Sequence, residues 1–299
     1  MSEYKFLGNL ILTGKIRCKT ALHIGGSKDA YEIGGMDNPV IKTIRDVPYI
    51  PGSSLKGKLR SLLEWSLDLV PSNNSKDLYH VCDDQEQEKY LNCPVCRVFG
   101  TPAEKEKGFC ITRLVVRDAF LSSESENELN NLGSTTEIKT ENMIHRLSGK
   151  AEHPRPIERV PEGTEFEFSM VYSVYEIPDE PDLKDLEFFP HVLDAMALLE
   201  DSYLGGMGSR GSGQVEFKEL KLVFRGKDYY LNGKPEKPYK PDESKKLHEP
   251  KEPKETEEHE KTEPSIKLRM NEKERSNFIE GLDKLVKGDA KNANTGPEA

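Results

Sequence analysis

Thr164-Glu165-Phe166-Glu167-Phe168-Ser169-Met170-Val171-Tyr172-Ser173-Val174 sets Phe166, Phe168, Met170 and Tyr172 on one face. An apolar-polar alternation of period two belongs to a strand whose sheet is covered on one side. Downstream, Pro190 to Tyr203 reads as a helix and Gln214 to Phe224 as a further strand. Upstream, Phe6 to Lys19 alternates as a strand, and Ile111 to Leu121 as another. Between those two, Leu55, Leu59, Leu62 and Leu63 recur at helical spacing, predicting a helix over Ser54 to Val70. The order strand, helix, strands, helix, strand predicts an α+β chain with a ferredoxin-like sandwich. The polar segment Gly133 to Arg159 then has to be an excursion from the sheet.

Three blocks in this frame carry chemistry. In the first, Ile33-Gly34-Gly35-Met36-Asp37-Asn38-Pro39-Val40, the glycines free the backbone while Pro39 opposes a helix through Asp37. A loop carboxylate of this kind either closes an Asx-turn or faces a ligand. In the second, Tyr49 to Arg60, Ser53 and Ser54 are good N-cap types, and Lys56, Lys58 and Arg60 crowd the first helical turns. Cations there oppose the helix dipole, so either they are a solvated face or an anion such as a phosphate sits among them. In the third, Leu204 to Gly213, Gly205, Gly206, Gly208, Gly211 and Gly213 surround Ser209 and Arg210. Such a loop offers amide N–H groups to phosphate oxygens, with Arg210 as a bidentate partner. It lacks the Walker lysine and precedes a strand rather than a helix, which disfavours a nucleotide cofactor.

Together these blocks resemble the RAMP superfamily of CRISPR proteins, and within it the backbone subunit of type III-A (Csm) interference complexes. The resemblance spans about Phe6 to Phe224. It also includes Leu22-His23-Ile24-Gly25-Gly26, Val116-Arg117-Asp118-Ala119-Phe120, Glu141-Asn142 and Pro156-Ile157-Glu158-Arg159. It implies a subunit that stacks in a helical filament of its own copies along a CRISPR guide RNA and cleaves the paired target RNA. Asp37 matches the family's cleaving aspartate, with Mg2+ or Mn2+ as the divalent cation, and acts either as general base or as metal ligand. Ser54, Lys56, Lys58, Arg60, Gly206, Gly208, Ser209, Arg210 and Gly211, joined by His23, Asn142 and Arg159, are the implied RNA-binding set. The 133–160 excursion matches a thumb hairpin, in which Met143 and Ile144 either wedge into the duplex or pack a core, and Arg146 lies near a phosphate. Further implied partners are the large polymerase-like subunit, the guide 5'-tag-binding subunit and the small subunits. Rival readings are an inert guide-binding scaffold and a guide-precursor-processing endonuclease resting on His23.

Cysteine spacing points to a second site. His80-Val81-Cys82 and Cys93-Pro94-Val95-Cys96 supply four ligand types suited to tetrahedral, structural zinc, with Asp83 or Asp84 as substitutes for His80. The insertion 71–109 has little apolar material for a core of its own, so a metal would be its main staple. A redox dithiol or a disulfide fits less well, and Cys18 and Cys110 lie in strand-like runs as buried thiols.

Length and charge bound the rest. With 299 residues, 35% hydrophobic content and a mean hydropathy of −0.70, the chain suits one core, residues 1–224, plus a tail, 225–299. From Pro235 to Pro264 the sequence is mostly Glu, Lys and Pro and is expected to be disordered. Phe278, Ile279, Leu282 and Leu285 predict a short amphipathic helix over 276–287 that docks on a partner. The tail holds 17 basic and 17 acidic side chains, so the net charge of −10 belongs to the core. RNA binding then has to rest on a local stripe of cations. No run is long enough to span a membrane, and Met1 to Leu12 lacks a signal peptide's regions, so a cytoplasmic protein is expected.

Overall fold

The computed structural model describes residues 4–26, 38–72, 78–82, 91–101, 111–177, 180, 183–241 and 266–293. A long strand β1 (Lys5–Cys18) lies at the centre of the sheet. Its antiparallel neighbours are β7 (Glu165–Glu176) and β8 (Val215–Gly226), with Leu12 opposite both Met170 and Leu222. Outside β7 come β3 (Leu114–Val116), β4 (Ala119–Leu121) and β2 (Tyr49–Ile50), and outside β8 comes β9 (Lys237–Pro238). The strands of the core unit thus lie in the order last, first, third, second, which is the ferredoxin-like arrangement.

The alternation that opened the sequence reading is the reason for this layering. Phe166, Phe168, Met170, Tyr172 and Val174 are all buried, and they meet Leu10, Leu12 and Ile16 of β1 under the helices. In β8 the pattern skips a beat between Phe217 and Leu220, where Glu219 takes a φ of 53° in a bulge opposite Thr13 and Lys15. Helix α1 (Gly52–Ser66) buries Leu55, Leu59 and Leu63 beside α5 (Pro190–Glu200). It stops four residues before the expected Val70, because Asp68 turns left-handed with φ 56°. The strand expected over 111–121 is split at Arg117 and Asp118, and the Asp118 carboxylate accepts the Gly52 N–H at 2.7 Å, 66 residues away in sequence.

Two smaller pieces join this core. Helix α2 (Pro94–Phe99) carries Arg97, which is 1% exposed and reaches Asp185 at 2.7 Å and Glu180 at 2.7 Å. Asp185, fully buried ahead of α5 in the short helix α4 (Lys184–Phe188), also accepts from Arg113 at 3.0 Å and from the Tyr175 N–H at 2.9 Å. Within 133–160, β5 (Glu137–Ile144) and β6 (Ala151–Arg159) form a separate two-stranded sheet that follows helix α3 (Ser123–Leu132) and leaves Ile138, Met143 and Ile144 exposed.

The boundary expected at 225 does not divide core from tail. β8 runs on to Gly226, and α6 (Lys227–Asn232) and β9 continue the packed structure. The charged stretch 242–265 lies outside the described residues. Beyond it, the helix expected over 276–287 extends over Glu272–Ala293 as α7 and docks on this chain's own core instead of awaiting a partner. Phe278 stacks on Phe189 at 6.1 Å and meets the Tyr239 ring edge-on at 5.1 Å, while Leu282 and Val286 are buried. Arg275 pairs with Asp194, and Arg269 pairs with Asp201 at 2.9 Å. A buried aromatic side chain cut back to alanine costs about 3–5 kcal/mol. Phe278→Ala should therefore lower stability by about that amount in chemical denaturation, where a helix that merely rests on the surface would shift it by less than about 0.5 kcal/mol.

Candidate functional site

His23 is where the glycine-rich loop, the 133–160 hairpin and the segment after residue 37 converge. Its backbone carbonyl accepts the Gly206 N–H at 2.7 Å, and its Nδ1 lies 2.7 Å from the Glu158 carbonyl. A carbonyl only accepts, so Nδ1 carries the proton. Glu158, from β6, accepts the Val40 N–H at 2.8 Å and the Thr136 hydroxyl at 2.6 Å, and pairs with Lys42 at 2.8 Å. Burial works against ionisation of Glu158, yet the hydrogen bonds from Lys42 and Thr136 outweigh it and hold the carboxyl below its usual range. Asp37 and the rest of 27–37 lie outside the described residues. The flanks of that segment close side by side, with Gly26 N–H donating to Pro39 at 3.0 Å and Ile41 N–H to Ile24 at 2.8 Å.

The loop itself is shaped by close approaches. Gly205 sits at φ 75° with its Cα so near His23 that a Cβ would collide with the His23 carbonyl, and a Cβ on Gly208 would enter the Tyr203 ring. Gly208 to Arg210 form a single 3-10 turn, and Ser209, Arg210 and Gly211 are exposed. Tyr203 in turn receives the Lys58 ammonium 4.0 Å from its ring centroid, which joins α1 to the loop. Burial lowers the pKa of both Lys56 and Lys58, and for Lys56 the neighbouring Arg60 adds to this. Among the described residues no carboxylate pairs with either lysine. Arg210 reaches across to Glu141 of the hairpin at 3.2 Å, while Asn142, Met143 and Arg146 stand exposed on that hairpin.

Three expected contacts are placed differently. Ser54 does not cap α1: the helix begins at Gly52 with Pro51 as N-cap and no side-chain cap, because Asp118 supplies the acceptor. Arg159 bends back to Glu137 across the hairpin. Arg60 is turned away from the helix start, with Nε on Glu64 at 2.8 Å, Nη1 on the Gly100 carbonyl at 2.9 Å and Nη2 on the His80 carbonyl at 2.6 Å. The sequence reading missed Glu158, Asp118 and Tyr203 as organising residues. Asp118 and Glu158 lay in motifs that carry the family resemblance and Tyr203 directly ahead of the glycine run, but none of these signals pointed to the partners each one binds.

The insertion brings His80, Cys82, Cys93 and Cys96 together, with their ligand atoms all within 4.8 Å of one another. His80 Nε2 lies 3.3 Å from Cys93 Sγ and 3.4 Å from Cys82 Sγ. Two ligands of a tetrahedral ion with bonds of about 2.0–2.3 Å stand about 3.3–3.8 Å apart, so this donor set can hold a metal ion. Hydrogen bonds with Cys82 and Cys96 push the Cys93 thiol well down, and Cys82 and Cys93 in turn push the Cys96 thiol up, with Cys82 the larger influence on each. Cys93 is also the N-cap of α2, accepting the Cys96 N–H. Asp83, Asp84 and Cys110 lie outside the described residues, and Cys18 is buried.

A family model described as the RAMP superfamily matches residues 15–216. The protein named "CRISPR system Cms endoribonuclease Csm3" from Methanothermobacter thermautotrophicus is 42% identical over 241 residues, covering 76% of this chain and 90% of the relative. A protein of the same name from Streptococcus thermophilus is 42% identical over 212 residues, covering 71% of this chain and 88% of the relative. The Methanopyrus kandleri Csm3 crystal structure is similar with a TM-score of 0.51 and 25% identity, over 76% of this chain and 80% of that one.

The loop's geometry can be tested without any ligand. A side chain at Gly205 would meet both the left-handed backbone and the His23 carbonyl, and either alone costs on the order of 1–3 kcal/mol. Gly205→Ala should lower stability by about 2 kcal/mol or more in thermal denaturation, whereas Ser209→Ala, at an exposed position of the same loop, should stay within about 0.5 kcal/mol.

Proposed function

The chain belongs to the RAMP superfamily, and on that premise we propose that it is the repeating backbone subunit of a type III-A CRISPR effector complex, binding guide RNA and cutting the paired target RNA. The observation that carries this reading is the 42% identity to a named endoribonuclease across nine-tenths of that relative's length. Two half-buried lysines beside an amide-rich loop support it, since both features suit phosphates.

In this reading Lys56, Lys58, the Arg210 side chain and the Gly208 and Ser209 amides hold successive phosphates of the guide, since the Gly206, Arg210 and Gly211 N–H groups donate within the protein. Neutralising about three phosphates makes binding strongly dependent on salt and indifferent to sequence. His23, with Nδ1 fixed by the Glu158 carbonyl, has Nε2 without a hydrogen-bond partner among the described residues, and that atom would accept a hydrogen bond from a ribose hydroxyl. Met143 and Ile144, exposed on the hairpin, wedge the duplex so that one nucleotide of the target is splayed. Asp37 then acts on the 2'-hydroxyl of that nucleotide, either taking its proton as general base or holding a cation. A divalent cation, Mg2+ or Mn2+, when bound would offset the charge that builds on the phosphate oxygens. Copies of this chain in a filament would repeat the cut at a fixed interval. The large, 5'-tag-binding and small subunits would be its other partners. No helix among the described residues is long and apolar enough to cross a membrane.

His80, Cys82, Cys93 and Cys96 would hold a structural zinc ion, tying the two ends of an insertion that has little core of its own. Cys93→Ser should release zinc into a chromogenic chelator and lower the thermal midpoint of the protein. An equal zinc content in that variant would remove the residue from the ligand set.

The activity is tested by reconstituting the complex with guide RNA and mapping cuts in a complementary RNA. Asp37→Ala should reduce cutting at least 100-fold, the lower bound of what a positioned acid-base group contributes, with assembly and guide binding retained. Loss of assembly in that variant would return Asp37 to a turn-closing role.

A further inference from the structure

Arg60 stands in a run of cations at the start of a helix, yet its guanidinium is spent inside the protein. Each of its three nitrogens has a partner: Glu64 at 2.8 Å, the Gly100 carbonyl at 2.9 Å and the His80 carbonyl at 2.6 Å. The plane of the fork also lies over the Tyr79 ring, 4.7 Å from its centroid. Its side chain is 17% exposed and that of Glu64 is 7% exposed, so this is a largely desolvated clamp. In sequence, the two carbonyls it grips bracket the four-ligand cluster. His80 is itself a ligand candidate, and Gly100 closes helix α2, which begins at Cys93 and contains Cys96. Gly100 N–H donates to the Cys96 carbonyl at 2.9 Å, so the grip at Gly100 is transmitted directly to a ligand-bearing turn.

We propose that Arg60 is a positioning residue of the metal centre, reaching from α1 to bring the His80 arm and the Cys93–Cys96 knuckle to a common point, an inference that rests on the zinc reading given above. Arginine is the residue this job requires. Its planar fork bonds two separate carbonyls while its Nε keeps the Glu64 anchor, whereas a lysine offers its three donors from one nitrogen and lacks the spread to span all three acceptors. The entropy of holding the two arms together is then met before the ion arrives, and partners that orient metal ligands are worth 10- to 100-fold in affinity. The same clamp joins metal loading to the helix that carries Lys56 and Lys58.

The test is the affinity of the full-length protein for Zn2+, by competition with a chromogenic chelator, in wild type, Arg60→Lys and Lys56→Ala, with thermal midpoints of zinc-loaded and zinc-free forms. Arg60→Lys should bind zinc 10- to 100-fold more weakly and narrow the gap between loaded and zinc-free midpoints, with Lys56→Ala within two-fold of wild type. Zinc affinity of Arg60→Lys within two-fold of wild type would overturn the proposal, as would a parallel fall of both midpoints with the gap preserved, which marks a merely structural arginine. Failure of Arg60→Lys to fold in saturating zinc, read by circular dichroism, would overturn it too. A wild-type protein that binds no zinc would instead bring down the zinc reading itself, and the inference with it.

Discussion

One buried carboxylate, Asp185, holds the insertion to the sheet. It is fully enclosed, yet it receives hydrogen bonds from Arg97 of the knuckle helix, from Arg113 ahead of β3 and from the backbone of β7. Glu180 supplies the second negative charge, so two guanidinium groups face two carboxylates. A buried pair of this kind returns little net stability compared with apolar packing, but breaking it by removing one partner costs about 3–5 kcal/mol. What it gives is a defined geometry: α2 can sit in one place only, and the Cys93–Cys96 turn sits there with it. Arg60 reaches the same insertion out of α1. The cluster of ligand atoms thus hangs between two arginine clamps rooted in separate parts of the core.

Much of this was legible in the chain because it is written in periodicity. The alternation over Phe166 to Val174 and the leucine spacing of α1 fix which faces are buried, and the order of those elements leaves the ferredoxin-like sheet as the natural closure. The Cys93–Cys96 spacing marked a ligand knuckle for the same reason, since two ligands three apart share one turn. What stayed hidden depends on partners distant in sequence. No local pattern tells that Asp118 will serve the Gly52 N–H, that Arg60 will bend toward His80, or that Glu158 will gather Val40, Thr136 and Lys42. The amphipathic stripe of Phe278 and Leu282 was visible, but a stripe does not name the surface that covers it. That surface turned out to be Phe189 and Tyr239 of the same chain.

The acidic net charge finds its explanation in the same contacts. Many carboxylates of the core are consumed in internal pairs, such as Glu64 with Arg60, Glu158 with Lys42 and Asp185 with Arg97. Lys56 and Lys58 are left half-buried in the first turns of α1, where their charge lacks a compensating acid among the described residues. A summed charge therefore misjudges what a polyanion would meet at this surface, because a field is set by which charges remain uncompensated where it is felt.

The outermost strands of the sheet are only two residues long, Tyr49–Ile50 on one side and Lys237–Pro238 on the other. Strands this short, one of them ended by a proline that has no N–H to give, offer no template on which a neighbouring chain could lay a ladder. In the filament proposed above, these two strands would give neighbouring copies no ladder, and the spacing between copies would be set by the length of polymer each one grips.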